Sequence, residues 1–450
     1  MKKGILVTLA FILLTVSLVF AGGGAQNTGS GSGQSTGDSV TTTVPPKPIN
    51  WKESDATKSL SFHVLGAMST LDGWAGVGND TSRIMGYLLY DPLVTRDEEG
   101  NFIPWVAESW KMASDSMSIT FNLRQDVYFT NGERMTADDV IFTFERIKND
   151  TVNLSDATTR NWRPFIDRLA KNGDFEVTLY FSQIMSEFWS LIIHPSVGIL
   201  NKRAYEQMGY QAFWRNPVAT GAYVVQQWDP ANSIGRFTIR TDQHGYWAYR
   251  ATGTYTNVKD ITIAYSPEGQ TRIASLRSGE VHVIESVPAA DREILDRAGF
   301  ITRAMRPVNF TYLQVNSRPG AAFEDRRLRE ALSLCIDRDL IVDSLLFGYG
   351  VPATEPSRPG DLGHTGRQTI FYNSERARQL VRESNYDGRP LNFIFTTSVV
   401  NIGVELTQAI QSMAADVGIN LRIQMLEVAM QNRNPKITKN FGKPHCRMLV

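Results

Sequence analysis

Side chains able to do covalent or metal chemistry are sparse in this chain. The two cysteines, Cys335 and Cys446, are too few and too far apart for a disulfide framework or a CxxC metal clip. Six histidines are scattered without HxH or HExxH spacing, and the His445-Cys446 pair offers only part of a zinc ligand set. No HExxH or P-loop motif occurs, and the one GxSxG spacing, Gly33 to Gly37, lies in a Gly/Ser-rich stretch. Forty-six acidic residues make chance carboxylate pairs certain. A secreted hydrolase using such a pair is therefore one reading, although a catalytic carboxylate needs a raised pKa in a cleft and no spacing nominates one. Binding chemistry is better represented. Leu71-Asp72-Gly73-Trp74 carries a rigid ring that gives contact area at low entropy cost; the alternative for Trp74 is domain packing. Asn309, Tyr312 and Asn316 form a polar group in one short segment, and Asn309 can equally serve the local backbone. Ser398 and Asn401 are polar donors, and Asn401 can equally cap the helix that follows it.

These residues need elements to hold them. SLSFHVLG from Ser59 reads as a strand and Thr81 to Tyr90 as a helix with Ile84, Leu88 and Leu89 on one face. MSITFNLRQDVYF alternates Ile119, Phe121 and Leu123 against polar neighbours, the pattern of a half-buried antiparallel strand. Asn131-Gly132 supplies a turn, and Thr136 caps a helix with Asp138 and Asp139 at its positive end and Val140, Ile141, Phe144 and Ile147 as its buried stripe. DFEVTLYF (174–181) and VHVIESV (281–287) are further strands, the second preceded by a short helix from Arg272 that Gly279 stops. Arg326 to Phe347 carries apolar residues at helical spacing, which makes Cys335 core filler rather than a reactive thiol. Within it EDRRLRE (324–330) alternates signs and reads as a solvated face. Ser374 to Glu383 is a capped helix, LNFIFTT a strand, Asn401 to Val417 a helix ended by Gly418, and INLRIQML a strand. The fold class is α/β with an antiparallel-rich insert early in the chain.

Composition narrows the function. At 450 residues, 42% apolar and 20% charged, the chain is long enough for about three globular domains. Lys plus Arg balances Asp plus Glu at 46 each, so no basic field exists to hold nucleic acid. Lys2 and Lys3 precede an apolar run from Gly4 to Phe20 that ends at Ala21, the pattern of an export signal covering residues 1–21. The run falls short of the ~20 residues of a membrane span. Residues 22–47, Gly/Ser-rich at their start, read as a flexible linker. No lipobox cysteine follows the cleavage site, so the expectation is a periplasmic or extracytoplasmic protein that is free or tethered by an unprocessed signal.

The stretch YDPLVTRDEEGNFIPWVAESWKMASDSMSITFNLRQDVYFTNGERMTADDVIFTFERI (90–147) closely resembles the signature region of the family 5 extracellular solute-binding proteins, the periplasmic peptide-binding components of ABC importers. Four further stretches agree in order, at 216–240, 266–288, 312–356 and 373–395, so the resemblance spans roughly Ser59 to Glu427. It implies a periplasmic-binding-protein-like fold of two lobes closing on a ligand, with a third domain inserted. On that pattern domain I comprises 48–78 and 195–306, domain II is 79–194 and domain III is 307–427. Leu71 to Trp74 then falls on the first cleft loop, Asn309 and Tyr312 on or beside a hinge strand, and Ser398 and Asn401 on a loop near the ligand. Trp105, Trp110, Asp138 and Asp139 fall in domain II as packing and caps. The implied function is capture of oligopeptides, or oligosaccharides, for an ABC permease in the cytoplasmic membrane, by a monomer that needs no cofactor and performs no chemistry.

After Glu427 the family pattern stops. Residues 428–450 (VAMQNRNPKITKNFGKPHCRMLV) show neither helical nor strand periodicity, and all nine tryptophans lie at or before Trp247. The expectation is an aberrant tail, from a frameshift or a natural short form, that leaves domain III incomplete. A non-functional remnant is accordingly a third reading.

Overall fold

A computed structural model describes residues 55–67, 70–75, 86–97, 100–154, 159, 161–303, 311–355, 357, 364–396, 402–426 and 446–449. The export signal, the linker and most of the tail lie outside the described residues. The chain divides into two compact units, Met1–Ser286 and Val287–Val450.

The first unit holds two main sheets, each with its own core. Strand β1 (Lys58–Val64) turns Leu60, Phe62 and Val64 inward, the alternation that SLSFHV predicts. It pairs in parallel with β10 (Val258–Tyr265) and with β11 (Val283–Ile284). The sheet continues through antiparallel β9 (Ile234–Ile239) to β8 (Tyr223–Asp229), in the order β11-β1-β10-β9-β8. The strand predicted over VHVIESV is confined to Val283–Ile284. Its helix runs from Gly269 to Ser278, with Gly279 in the left-handed region at φ 78° as its stop.

The second sheet is antiparallel in the order β4-β5-β7-β6, from Ala107–Met112, Ser118–Leu123, Glu176–Phe181 and Ile166–Gly173 respectively. Ile119, Phe121 and Leu123 are buried on one face, as their alternation predicts, each contributing about 1.5–3 kcal/mol of burial. A two-stranded ribbon of β2 (Val94–Arg96) and β3 (Phe102–Pro104) precedes it. The helix Ala137–Asn149 packs Val140, Phe144 and Ile147 into this core, while Ile141 is half-buried. Its start is the predicted one: the Thr136 amide donates to Asp139 Oδ2 at 2.9 Å.

The second unit is a four-stranded sheet in the order β12-β15-β13-β14. Its strands are Tyr312–Val315, Cys446–Leu449, Leu391–Thr396 and Leu421–Leu426. Two expectations are corrected here. Arg326 to Phe347 is not one helix but two, Arg326–Leu334 and Arg338–Leu345. The Asp337 carboxylate accepts the Leu340 amide at 2.9 Å and starts a new helix, so Leu340 leaves the apolar stripe and is 51% exposed. The tail is also not devoid of strand. Cys446–Leu449 pairs antiparallel with β12 and in parallel with β13. Four residues are too few to display a period, and the pairing is made by distant backbone. Cys335 is core filler as expected, and burial pushes its thiol up to about 12.

Candidate functional site

In open α/β sheets, ligands meet the protein outside the carboxyl ends of the parallel strands. In the first unit those ends are Val64, Tyr265 and Ile284, and the loops that leave them are tied together. The Ser266 amide donates to the Val64 carbonyl at 2.9 Å, and the Leu65 amide to Glu285 Oε2 at 2.8 Å. Arg272, fully buried, bridges the other two loops: Nη1 donates to the carbonyls of Ser266 (2.7 Å) and Pro267 (2.8 Å), Nε to that of Glu285 (2.9 Å) and Nη2 to that of Ser286 (2.8 Å). Burial pulls the guanidinium below its ordinary pKa, with Glu285 and Glu268 opposing.

The Leu71–Trp74 loop after β1 is held from within by Asp72. Its amide donates to Thr70 Oγ1 at 3.0 Å, its Oδ1 accepts the Trp74 amide at 3.0 Å, and its carbonyl accepts the Ala75 amide at 3.1 Å. The carboxylate is wholly buried and committed to Arg146 on the Ala137–Asn149 helix, in a two-pronged ion pair. The Arg146 guanidinium lies 5.6, 5.9 and 5.2 Å from the ring centres of Tyr205, Tyr210 and Trp214. Burial works against its charge, but Asp72 outweighs that and raises its pKa. Burial, and then the Asp72 carboxylate, push the Tyr90 hydroxyl well above its ordinary range, so it remains neutral.

Leu71 lies in the core under the five-stranded sheet, and Trp74 lies in the neighbouring core with its Nε1 buried and unpartnered among the described residues. Gly73 packs against the turn Pro195–Val197 so closely that an added Cβ would stand 2.9 Å from Ser196 Cα. Tyr312 belongs to the second unit, where it pairs with Leu449 in the sheet and is 46% exposed. Asn309, Ser398 and Asn401 lie outside the described residues. Sequence reasoning missed Arg146, Glu285 and Arg272. The one visible hint was a charged residue at position 146, beside the apolar stripe of a helix. Among the described residues, no group of three or more His, Cys, Asp or Glu is placed to hold a metal. Both Arg272 and Asp72 hold their loops through backbone groups.

This α/β architecture is that of the solute-binding proteins, and comparison with known proteins places the chain among them. The chain matches the bacterial extracellular solute-binding proteins, family 5 Middle, over residues 101–442, and belongs to that family. The match runs past Glu427, where the resemblance was expected to end. Among curated relatives, a glutathione-binding protein GsiB of Salmonella paratyphi A is 24% identical over 382 residues, covering 84% of this chain and 71% of the relative. Protein XP55 of Streptomyces lividans is 27% identical over 327 residues, covering 70% and 57%. Among solved structures, the periplasmic binding protein DppA of Helicobacter pylori with peptide STSA aligns at TM-score 0.71 and 19% identity, covering 88% of this chain and 78% of that one. A dipeptide-binding protein of a Pseudoalteromonas species with Met-Leu aligns at 0.72 and 22%, covering 87% and 80%. Both share the fold.

Proposed function

We propose that this solute-binding protein captures short peptides outside the cytoplasmic membrane and delivers them to an ABC permease as a monomer, without chemical change. The observation that carries this reading is the family match over residues 101–442. The names of its relatives support the ligand class: one is called glutathione-binding, and two fold neighbours were solved with the peptides STSA and Met-Leu. On this reading the Leu71–Trp74 loop contacts the peptide through its backbone, because the Asp72 carboxylate is already occupied by Arg146. The Trp74 ring, packed in the core, anchors that loop. Export follows from the Lys2-Lys3 leader with cleavage after Ala21. We also infer the three-part division at residues 48–78 with 195–306, 79–194 and 307–427, which the separate cores of the first unit support.

Calorimetry with glutathione, Met-Leu and a pool of tetrapeptides tests the proposal, with the peptides recovered afterwards and weighed by mass spectrometry. The expected result is saturable binding of at least one peptide, recovered intact. Absence of binding to all of them, or recovery of cleaved peptide, would overturn it.

A further inference from the structure

Asp91 is a carboxylate in the core, 3% exposed, whose side-chain donors among the described residues are all neutral aromatic groups. The indole Nε1 of Trp105 donates to Oδ1 at 2.8 Å, the hydroxyl of Tyr246 to the same oxygen at 2.8 Å, and the indole Nε1 of Trp247 to Oδ2 at 3.1 Å. Three segments distant in sequence converge there: Asp91 precedes β2, Trp105 joins β3 to β4, and Tyr246 and Trp247 open the helix Trp247–Thr252. Buried carboxylates are ordinarily paired with a cation. Arg240, whose field reaches Tyr246, is instead committed to Asp242 and to the carbonyls of Tyr128, Thr220 and Phe129. Hydrogen bonds therefore hold the negative charge, and its field acts on the three rings. Burial, and then Asp91, push the Tyr246 hydroxyl well above its ordinary range, so the phenol keeps its proton in the resting protein.

Indole and phenol rings give up one electron readily, and the product is a cation. Beside a buried carboxylate with no counterion that cation is stabilised by a field that water does not screen. Its acidity matters as much: an oxidised phenol is a far stronger acid than an oxidised indole, and an Asp91 oxygen stands 2.8 Å from the Tyr246 hydroxyl, ready to accept the proton. The surroundings also direct where the missing electron comes to rest. Arg124 lies 4.9 Å from the ring centre of Trp247 and disfavours a positive charge there. The ring centres of Trp105 and Trp247 are 5.0 Å apart and those of Trp247 and Tyr246 are 5.9 Å apart, so an electron taken from the half-buried Trp105 can be replaced from Tyr246.

We propose that the cluster around Asp91 is a redox site, in which an oxidising equivalent delivered by a one-electron oxidant such as an oxygen-centred radical settles as a neutral phenoxyl radical on Tyr246. One electron leaves Tyr246 and reduces the oxidant to its anion. The phenolic O–H bond breaks, its proton moves to Asp91 Oδ1, and a neutral carboxylic acid remains beside the radical; an electron from a reductant and return of that proton restore the phenol. The test uses the full chain with photogenerated tris(bipyridine)ruthenium(III) as the oxidant, read by transient absorption and by electron paramagnetic resonance with ring-deuterated tyrosine. The wild type is expected to show a phenoxyl radical that outlasts the indolyl radicals. Tyr246→Phe keeps the ring and is expected to remove that signal, whereas Tyr349→Phe, at an exposed tyrosine of the second unit, is expected to leave it. Asp91→Asn keeps an acceptor but no base, and is expected to shorten the lifetime of the radical at least tenfold, by roughly the rate factor that one lost stabilising contact gives. Three results would overturn the proposal: lasting radicals on indole alone in the wild type, a phenoxyl of unchanged yield and lifetime in Tyr246→Phe, or an unchanged lifetime in Asp91→Asn. Should Asp91→Asn fail to fold, the contrast between Tyr246→Phe and Tyr349→Phe decides it. None of these readouts depends on whether a peptide binds.

Discussion

The guanidinium of Arg272 is hydrogen-bonded through Nη2 to the carbonyl of Ser286, the last residue of the first unit, at 2.8 Å. Ser286 has φ 55°, a left-handed conformation that costs a non-glycine residue energy and persists only where the surroundings fix it. One side chain thus determines the path by which the chain leaves the five-stranded sheet.

Replacing Arg272 should therefore loosen that exit. Arg272→Lys keeps the charge but loses the planar fork, and Arg272→Ala leaves four carbonyls to find water. The expected loss is about 2 kcal/mol for lysine and 3 kcal/mol or more for alanine, measured by urea unfolding. Equal stability of all three proteins would show that the clamp is redundant.

The Asp72–Arg146 pair should behave as a buried ion pair does. Asp72→Asn strands a buried guanidinium and is expected to cost roughly 3–5 kcal/mol, whereas Asp72→Asn with Arg146→Met should recover much of that loss. Thermal unfolding of the wild type, both single variants and the double variant measures the coupling. Additive losses would mean that the two side chains act separately.

At Gly73 the constraint is space, not backbone angle. An alanine Cβ there meets Ser196 at 2.9 Å from Cα and 3.1 Å from Cβ, and backbone cannot rotate aside as a flexible side chain would. Gly73→Ala is expected to cost about 1–3 kcal/mol and to speed amide exchange at Trp74 and Ala75. Unchanged exchange at those amides would count against the close packing.

Acid sensitivity of the second unit should trace in part to Asp325. The Arg327 side chain, hydrogen-bonded to its carboxylate, holds its pKa well below the ordinary range, and the amides of Asn385 and Arg327 add to this. A folded-state pKa depressed below the unfolded value of about 3.9 contributes stability that is fully present above that value and is lost as pH falls toward the folded one. Asp325→Asn keeps an N-cap for the Arg326–Leu334 helix but removes the titration. The variant should therefore lose less stability than the wild type between about pH 5 and pH 2 in urea titrations. Identical acid profiles would refute the assignment.

What was legible in the sequence was local. Ile119, Phe121 and Leu123 declared a strand because a period of two survives in six residues, and Thr136 with Asp139 declared a helix start because both halves of the cap lie within one turn. The break at Asp337 was hidden because the apolar spacing runs on through it while a single carboxylate decides the backbone. Asp72 and Arg146 are 74 residues apart, and nothing in either segment names its partner. The same holds for Arg272, whose four acceptors are backbone carbonyls with no side-chain signature.

All nine tryptophans precede residue 248, inside the unit that ends at Ser286. Indole emission from the untagged chain therefore reports on one unit alone, while far-ultraviolet dichroism reports on both. If the two units melt at different temperatures, the two optical signals will separate without any label, and the difference between them will belong to residues 287–450.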